Sequence, residues 1–206
     1  ARGSAAVTAS GIQPSIMELM DAGSLAAVHS LLVLDPPAAG AAQLTVQTDG
    51  PIAAADAERI AEVLRAEGGA VTVTDDVDEG NHLLLIRRAI SPALTALGGT
   101  TLIEDVSVPR SALPAMFDEI TRIEREYGIE IPTVAHAGDG NLHPTFLVDG
   151  PEIPERIWQA AHDMFRAAIR LGGTLTGEHG IGILKSRWLA EELGDDQWRL
   201  QQDIQR

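Results

Sequence analysis

Cysteine is absent from this sequence of 206 residues. Its absence excludes disulfide bonds, thiolate zinc sites and cysteine-ligated iron–sulfur clusters. A metal bound by this chain must therefore be held by histidine, carboxylate or water. The sequence has no need of an oxidising compartment, and we expect a cytoplasmic protein.

Basic residues are scarce. Lys and Arg together number 15 against 30 Asp and Glu, a formal net charge of −15. Such a chain repels nucleic-acid phosphates and anionic lipid headgroups, so we expect neither partner. Long apolar runs are also missing, because residues 25–34 and 83–86 are too short to cross a bilayer. We expect no membrane insertion.

The composition is that of a folded chain, with 45% hydrophobic and 22% charged residues. Hydrophobic periodicity predicts alternating helices and strands. Helices are predicted over residues 14–21, 24–34, 54–67, 78–97 with a break at Pro92, 111–127, 153–171, 184–193 and 195–206. Strands are predicted over residues 43–48, 71–74, 100–108, 131–137 and 142–148. This order favours an α+β fold, a duplicated ferredoxin-like arrangement with a mostly antiparallel sheet and helices packed on one face.

We interpret residues 1–206 as one unit, with an opening helical segment over residues 1–35 and C-terminal helices over residues 183–206. The chain starts without an initiator methionine and stops inside a helical pattern. We therefore expect it to be part of a longer polypeptide.

Two histidines flank a turn-forming segment. If residues 138–141 form a four-residue hairpin loop, Ala137 pairs with Leu142 and His136 lies opposite His143, with Cβ atoms about 4.5–5.5 Å apart. That separation suits two imidazoles that bind one ion. The alternative is that both histidines are hydrogen-bonded packing residues of the strands.

A third ligand is found in the segment Gly177-Glu178-His179-Gly180. Glycines on both sides let the backbone approach a ligand closely, which makes Glu178 the best candidate. On a purely structural interpretation these glycines are ordinary turn residues.

Both motifs have a known counterpart. Residues 136–144, HAGDGNLHP, followed by residues 173–185, GTLTGEHGIGILK, resemble the C-terminal domain of FAD-linked oxidases. Within that group the sequence is most similar to glycolate oxidase FAD-linked subunits and D-lactate dehydrogenases of the vanillyl-alcohol-oxidase superfamily. Residues 11–21 and 104–109 add weaker similarity.

The resemblance implies oxidation of glycolate or D-lactate to the 2-oxoacid, with hydride transfer to FAD. It also implies that His136, His143 and Glu178 bind a divalent metal, with His179 as the general base. Histidine and carboxylate ligands suit zinc, manganese or iron. A bound cation lowers the pKa of a coordinated hydroxyl, which agrees with this chemistry.

Substrate contacts are implied for Arg87 and Arg88, because the family's helix supplies an arginine to the substrate carboxylate. We favour Arg87, since Ser91 lies one helical turn further on, whereas Arg88 is equally well a solvated helix residue. Relatives that act on 2-hydroxyglutarate carry Lys where this chain has Ile103-Glu104 and Asn where it has Thr145. A small monocarboxylate therefore fits better, with Thr145 near it.

The resemblance places FAD mainly on a separate N-terminal domain, absent from these residues, with Gly140, Asn141 and Gly180 as cofactor contacts here. No dinucleotide-binding G-x-G-x-x-G pattern is present. We expect this chain alone to be inactive. Its expected partners are its own FAD domain and an iron–sulfur electron-acceptor subunit, through which it would associate peripherally with a membrane.

Two other functions remain open from the residues. One is a self-sufficient metallohydrolase, in which a His-His-Glu metal activates water and which predicts activity without flavin. The other is a non-catalytic ferredoxin-like interaction module, which predicts no stoichiometric metal.

Overall fold

The computed structural model describes residues 1–97 and 99–205. Its strands are β1 (Ile16–Met20), β2 (Gln43–Gln47), β3 (Thr100–Ile103), β4 (Val106–Ser107), β5 (Thr133–His136) and β6 (Asn141–Val148). Its helices are α1 (Arg2–Ala9), α2 (Ala22–Leu31), α3 (Ala53–Ala66), α4 (Val77–Arg88), α5 (Ile90–Ala96), α6 (Leu113–Tyr127), α7 (Glu155–Arg170) and α8 (Ser186–Ile204). A short 3-10 turn, Arg110–Ala112, precedes α6.

The strands form one six-stranded sheet in the order β2-β1-β5-β6-β3, and β4 also pairs with β6. Every pairing is antiparallel. The predicted α+β fold with a mostly antiparallel sheet is confirmed.

Side-chain alternation gives the sheet two different faces. On the first face Leu19, Leu142 and Phe146 join the main hydrophobic core beneath α1, α3, α6 and α7. On the second face Met20 and Val134 form a smaller core with α2, α4 and α5. This smaller group of helices adds a partial cover opposite the main helical layer, and it brings α4 beside the polar part of the second face.

The hairpin between β5 and β6 has a different register from the predicted one. His136 pairs with Asn141 and Val134 pairs with His143, so the loop comprises residues 137–140. The predicted pairing of His136 with His143 is therefore wrong. Gly140 takes a left-handed φ of 81° and belongs to the turn, whereas Asn141 already belongs to the strand.

Several element predictions near the N-terminus were also wrong. Residues 14–21 contain strand β1 rather than a helix, so the segment over residues 1–35 is not helical throughout, and α1 was missed. Residues 71–74 form no strand; they are largely exposed and bury no apolar face.

Three other predicted element boundaries can be compared with those in the structure. The predicted break at Pro92 lies instead at Ala89, because Pro92 falls in the first turn of α5, where the missing N–H is tolerated. The predicted strand over residues 100–108 is divided into β3 and β4 by Glu104 and Asp105. Gly194, with φ 70° and ψ 171°, divides α8 where two helices were predicted. Within the described ranges, no helix combines the length and apolar character needed to cross a membrane.

Candidate metal centre

The predicted ligands come together on the second face of the sheet. Oε1 of Glu178 lies 3.3 Å from Nε2 of His136 and 3.0 Å from Nε2 of His143. The two imidazoles are nearly perpendicular, with ring centroids 5.2 Å apart. These three donor atoms all lie within 4.8 Å of one another, as the ligands of one ion must. The geometry suits a divalent cation, although the ligand assignment stays a prediction.

The site is buried on one side and open on the other. His143 is 8% exposed, whereas the side chain of Glu178 is 52% exposed. Burial, and then the neighbouring His136, lower the pKa of His143. The imidazole is therefore neutral at physiological pH, which is the form that binds metals.

His179 lies over the centre. Its ring stacks on His143 with centroids 5.0 Å apart and an interplanar angle of 18°. Its Nε2 is 3.9 Å from Oε1 of Glu178, and half of its side chain is exposed. An exposed imidazole beside a cation site is well placed to exchange a proton with a ligand and with solvent.

Asp105 anchors the loop that carries Glu178 and His179. Its fully buried carboxylate accepts hydrogen bonds from the backbone N–H groups of Gly177, Glu178 and His179 and from the hydroxyl of Thr176. Burial alone would raise the pKa of Asp105, but these hydrogen bonds and the charge of Lys185 hold it below its usual value. Asp105 is thus an anion that holds residues 176–179 in place, and we call this segment the ligand loop.

A second potential cluster consists of Asp105, His143 and His179. The Asp105 oxygens are already engaged by four donors, and Oδ1 lies 3.9 Å from Nδ1 of His143. A buried carboxylate that these donors already engage is the poorer ligand, so we favour the set that contains Glu178.

Gly177 is required by close packing. A Cβ at this position would overlap Oδ1 of Asn141 and Oδ1 of Asp105. The glycine therefore lets the ligand loop lie directly on β6 and on the Asp105 carboxylate.

The predicted substrate residues divide into two groups. Arg87 is 18% exposed and its Nε donates a 2.8 Å hydrogen bond to Glu18 on the second face. Thr145 is buried and lies two residues beyond His143 on the same face. Arg88 and Ser91 are exposed, and Arg88 forms no ion pair within residues 1–97 and 99–205. The structure brings Arg87 and Thr145 to the centre and gives no contact that ties Arg88 or Ser91 to it.

The predicted flavin contacts have local structural roles. Gly140 is buried, its carbonyl accepts a hydrogen bond from Val108, and a Cβ there would overlap the Val108 carbonyl. Asn141 is buried, and its Oδ1 has no hydrogen-bond partner in the described part of the chain. Gly180 is exposed with φ 81° and open space around it. Their contact with FAD remains a prediction.

Two site residues were not predicted as such, Glu18 and Asp105. Glu18 accepts one hydrogen bond from Arg87, and its other oxygen lies 2.7 Å from Nδ1 of His136. Glu18 is the single polar residue in the apolar run Ile16–Met20, which was the available signal for it, but that segment was interpreted as helical. Asp105 lies within residues 104–109, a segment that resembles the family. Nothing in the local sequence indicates that it holds a loop more than seventy residues away.

Comparison with known proteins agrees with these motifs. The family described as FAD linked oxidases, C-terminal domain, matches residues 2–206. The chain is 38% identical over 193 residues to the glycolate oxidase subunit GlcD of Bacillus subtilis, covering 91% of this chain and 41% of that protein. It is 34% identical over 159 residues to the D-lactate dehydrogenase of Archaeoglobus fulgidus, covering 72% of this chain and 33% of that protein.

A solved structure supports the fold. The chain is similar to alkyldihydroxyacetonephosphate synthase with a TM-score of 0.56 and 11% identity, over 90% of this chain and 39% of the other. The chain thus spans well under half the length of these relatives. It belongs to the family of FAD-linked oxidases, C-terminal domain.

Proposed function

We propose that this chain is the substrate- and metal-binding part of a flavin-dependent 2-hydroxyacid oxidoreductase that converts glycolate or D-lactate to the 2-oxoacid. The observation that carries the proposal is the convergence of His136, His143 and Glu178 beneath His179. Relatives named as glycolate oxidase and D-lactate dehydrogenase support this substrate class.

The donor set fits a divalent cation, because two imidazoles and a carboxylate place three donor atoms within 4.8 Å of one another. A cation held there supplies a Lewis acid that lowers the pKa of a coordinated hydroxyl. Zinc, manganese and iron all suit these ligands.

The residues of this chain then have separate roles. Arg87 supplies positive charge for the substrate carboxylate, and His179 accepts the hydroxyl proton. As that O–H bond breaks and the carbonyl forms, the C–H bond releases a hydride with its electron pair. FAD, held mainly outside these residues, supplies the hydride acceptor.

The size of the substrate is suggested by the pair Ile103 and Thr145. These two residues are direct cross-strand partners in β3 and β6. Ile103 is 46% exposed, so an apolar side chain stands where dicarboxylate-specific relatives are expected to carry a cation. An apolar contact there favours a small monocarboxylate.

The test is calorimetric titration of the chain with Zn²⁺ or Mn²⁺, followed by titration of the loaded chain with glycolate, D-lactate, L-lactate and D-2-hydroxyglutarate. We expect one metal per chain, and binding of glycolate or D-lactate that requires the metal. His143→Ala should lose the metal. Binding of the hydroxyacids without metal, or no binding with it, would contradict the proposal. Ester hydrolysis by the metal-loaded chain without flavin would support a metallohydrolase instead.

A further inference from the structure

Glu18 lies between the metal centre and the predicted substrate arginine. It stands in the middle of β1, directly opposite His136 in the register of β1 and β5. Its Oε1 is 2.7 Å from Nδ1 of His136, and its Oε2 accepts a 2.8 Å hydrogen bond from Nε of Arg87. With 16% of its side chain exposed, this carboxylate is held in place by two partners at once.

The contact with His136 determines which imidazole nitrogen carries the proton. An ionised carboxylate only accepts hydrogen bonds, so Nδ1 of His136 must be the donor. In the neutral imidazole the lone pair is then on Nε2, the nitrogen that faces Glu178 at 3.3 Å. Ligand histidines in metalloproteins commonly have a carboxylate on the other ring nitrogen.

The other histidine lacks an equally close partner. Nδ1 of His143 has no hydrogen bond within the described residues, and the nearest carboxylate oxygen, on Asp105, is 3.9 Å away. His136 is therefore the imidazole whose tautomer is fixed before any cation arrives.

The contact with Arg87 uses one edge of the guanidinium. Nε is engaged by Glu18, whereas the two Nη groups form no hydrogen bond with residues 1–97 or 99–205. A guanidinium held by Nε keeps its two Nη donors for a planar anion. The ion pair also neutralises Glu18, which would otherwise add a second negative charge beside Glu178.

We propose that Glu18 is a positioning residue that fixes the tautomer of His136 for metal binding and holds Arg87 by its Nε, leaving the Nη groups for the substrate carboxylate. This inference rests on the proposed function for the identity of the anion. Its first half depends only on the metal and can be tested alone.

The experiment compares wild type, Glu18→Gln and, as a matched control, Glu119→Gln. Glu119 is also paired with arginines, Arg122 and Arg170, but it lies on α6, away from the centre. Long-range proton–nitrogen NMR of the metal-free chain at pH 8 reports the His136 tautomer, and chelator competition gives the Zn²⁺ affinity.

In wild type and Glu119→Gln we expect the proton on Nδ1 of His136. In Glu18→Gln we expect a shift toward the Nε2–H tautomer and a Zn²⁺ affinity weaker by about 10–100-fold. An unchanged tautomer, or an affinity equal to that of Glu119→Gln, would overturn the inference. If wild type binds no Zn²⁺ but Glu18→Gln still shows the tautomer shift, the result would contradict the proposed function while supporting the role of Glu18 toward His136.

Glu18→Gln leaves Arg87 without its counter-charge, so a second variant guards against loss of folding. The double variant Glu18→Met with Arg87→Met removes both members of the pair and leaves no hydrogen-bond acceptor beside Nδ1 of His136. We expect it to fold and to show the same tautomer shift and weaker Zn²⁺ binding. Arg87→Met alone should keep the wild-type tautomer and lose only hydroxyacid affinity. A tautomer shift in this single variant would show that Arg87, not Glu18, orients His136.

Discussion

Lys185 connects Asp105 to Leu175, which precedes the loop that carries Glu178 and His179. Its ammonium lies 3.6 Å from the Asp105 carboxylate and donates hydrogen bonds to the main-chain carbonyls of Asp105, at 2.7 Å, and Leu175, at 3.0 Å. It is 3% exposed and is the only lysine in the sequence. Burial lowers the pKa of Lys185 below its usual value, and the charges of Asp105 and Glu104 oppose part of this shift. The loop with Glu178 and His179 is thus tied to the sheet by an internal ion pair.

We expect Lys185→Met to destabilise the protein by about 3–5 kcal/mol, because it leaves a buried carboxylate without its counter-ion. Zn²⁺ affinity should fall as well, since the loop that carries Glu178 loses one of its anchors. Urea denaturation measures the first effect and chelator competition the second.

The matched control is Arg187→Met, two residues further on in the first turn of α8. The Arg187 guanidinium lies 4.4 Å from the Trp158 ring centroid on the surface, a contact worth about 0.5–1 kcal/mol. Equal losses of stability in the two variants would contradict the special role of Lys185.

Gly177→Ala should disrupt the centre by sterics alone. The added methyl group meets the side-chain ends of Asn141 and Asp105, both of which are buried and cannot turn toward solvent. We expect a loss of about 1–3 kcal/mol in unfolding free energy, as for an overpacked core, together with weaker metal binding. Gly80→Ala, in α4 with open space around it, should instead stabilise by about 0.5–1 kcal/mol. Tight metal binding by Gly177→Ala would show that the loop does not need this contact.

The hairpin shows how much of the site the sequence could predict. The predicted register was wrong by two residues, yet His136 and His143 still share a face, because side chains alternate with a period of two. A slip of one residue would have separated them. The motif therefore predicted correctly that the two histidines lie on one face of the sheet, although it predicted the wrong cross-strand partners.

Asp105 and Glu18, the two residues that anchor the site, could not be predicted from local sequence patterns. Asp105 receives its donors from residues 176–179, and Glu18 meets Arg87 across 69 positions. Such contacts depend on strand order and on how α4 packs on the sheet, neither of which a local period encodes. The strand β1 was mistaken for a helix because five residues with a single polar position fit a period of two and a period of 3.6 equally well.

His179→Gln should separate proton transfer from binding. His179 is not among the three favoured ligands, so we expect Zn²⁺ and D-lactate affinities close to wild type. In the full-length enzyme with FAD, flavin reduction by D-lactate should slow by about 100–10,000-fold, the usual contribution of a general base. Stopped-flow flavin absorbance measures this rate. A variant that loses the metal, or one that reduces flavin at the wild-type rate, would contradict the assignment.

Glu104 should make stability depend on pH. Its carboxylate is fully buried, neither oxygen has a hydrogen-bond partner in the described part of the chain, and burial raises its pKa to about 7 from 4.5. Between these values the folded state keeps a proton that the unfolded chain has released. The stabilisation is therefore complete below about pH 4.5 and is lost as pH rises through about 7, a total of about 3 kcal/mol.

Glu104→Gln removes this ionisation while keeping the side-chain shape. At pH 8 the variant should be more stable than wild type by up to about 3 kcal/mol, and the difference should shrink toward pH 5. Urea denaturation at several pH values measures it, with Glu62→Gln on the exposed side of α3 as the control. Because other groups titrate equally in both proteins, only the difference between the curves reports on Glu104. Parallel curves for wild type and Glu104→Gln would mean that the buried carboxylate finds a partner or water when it ionises.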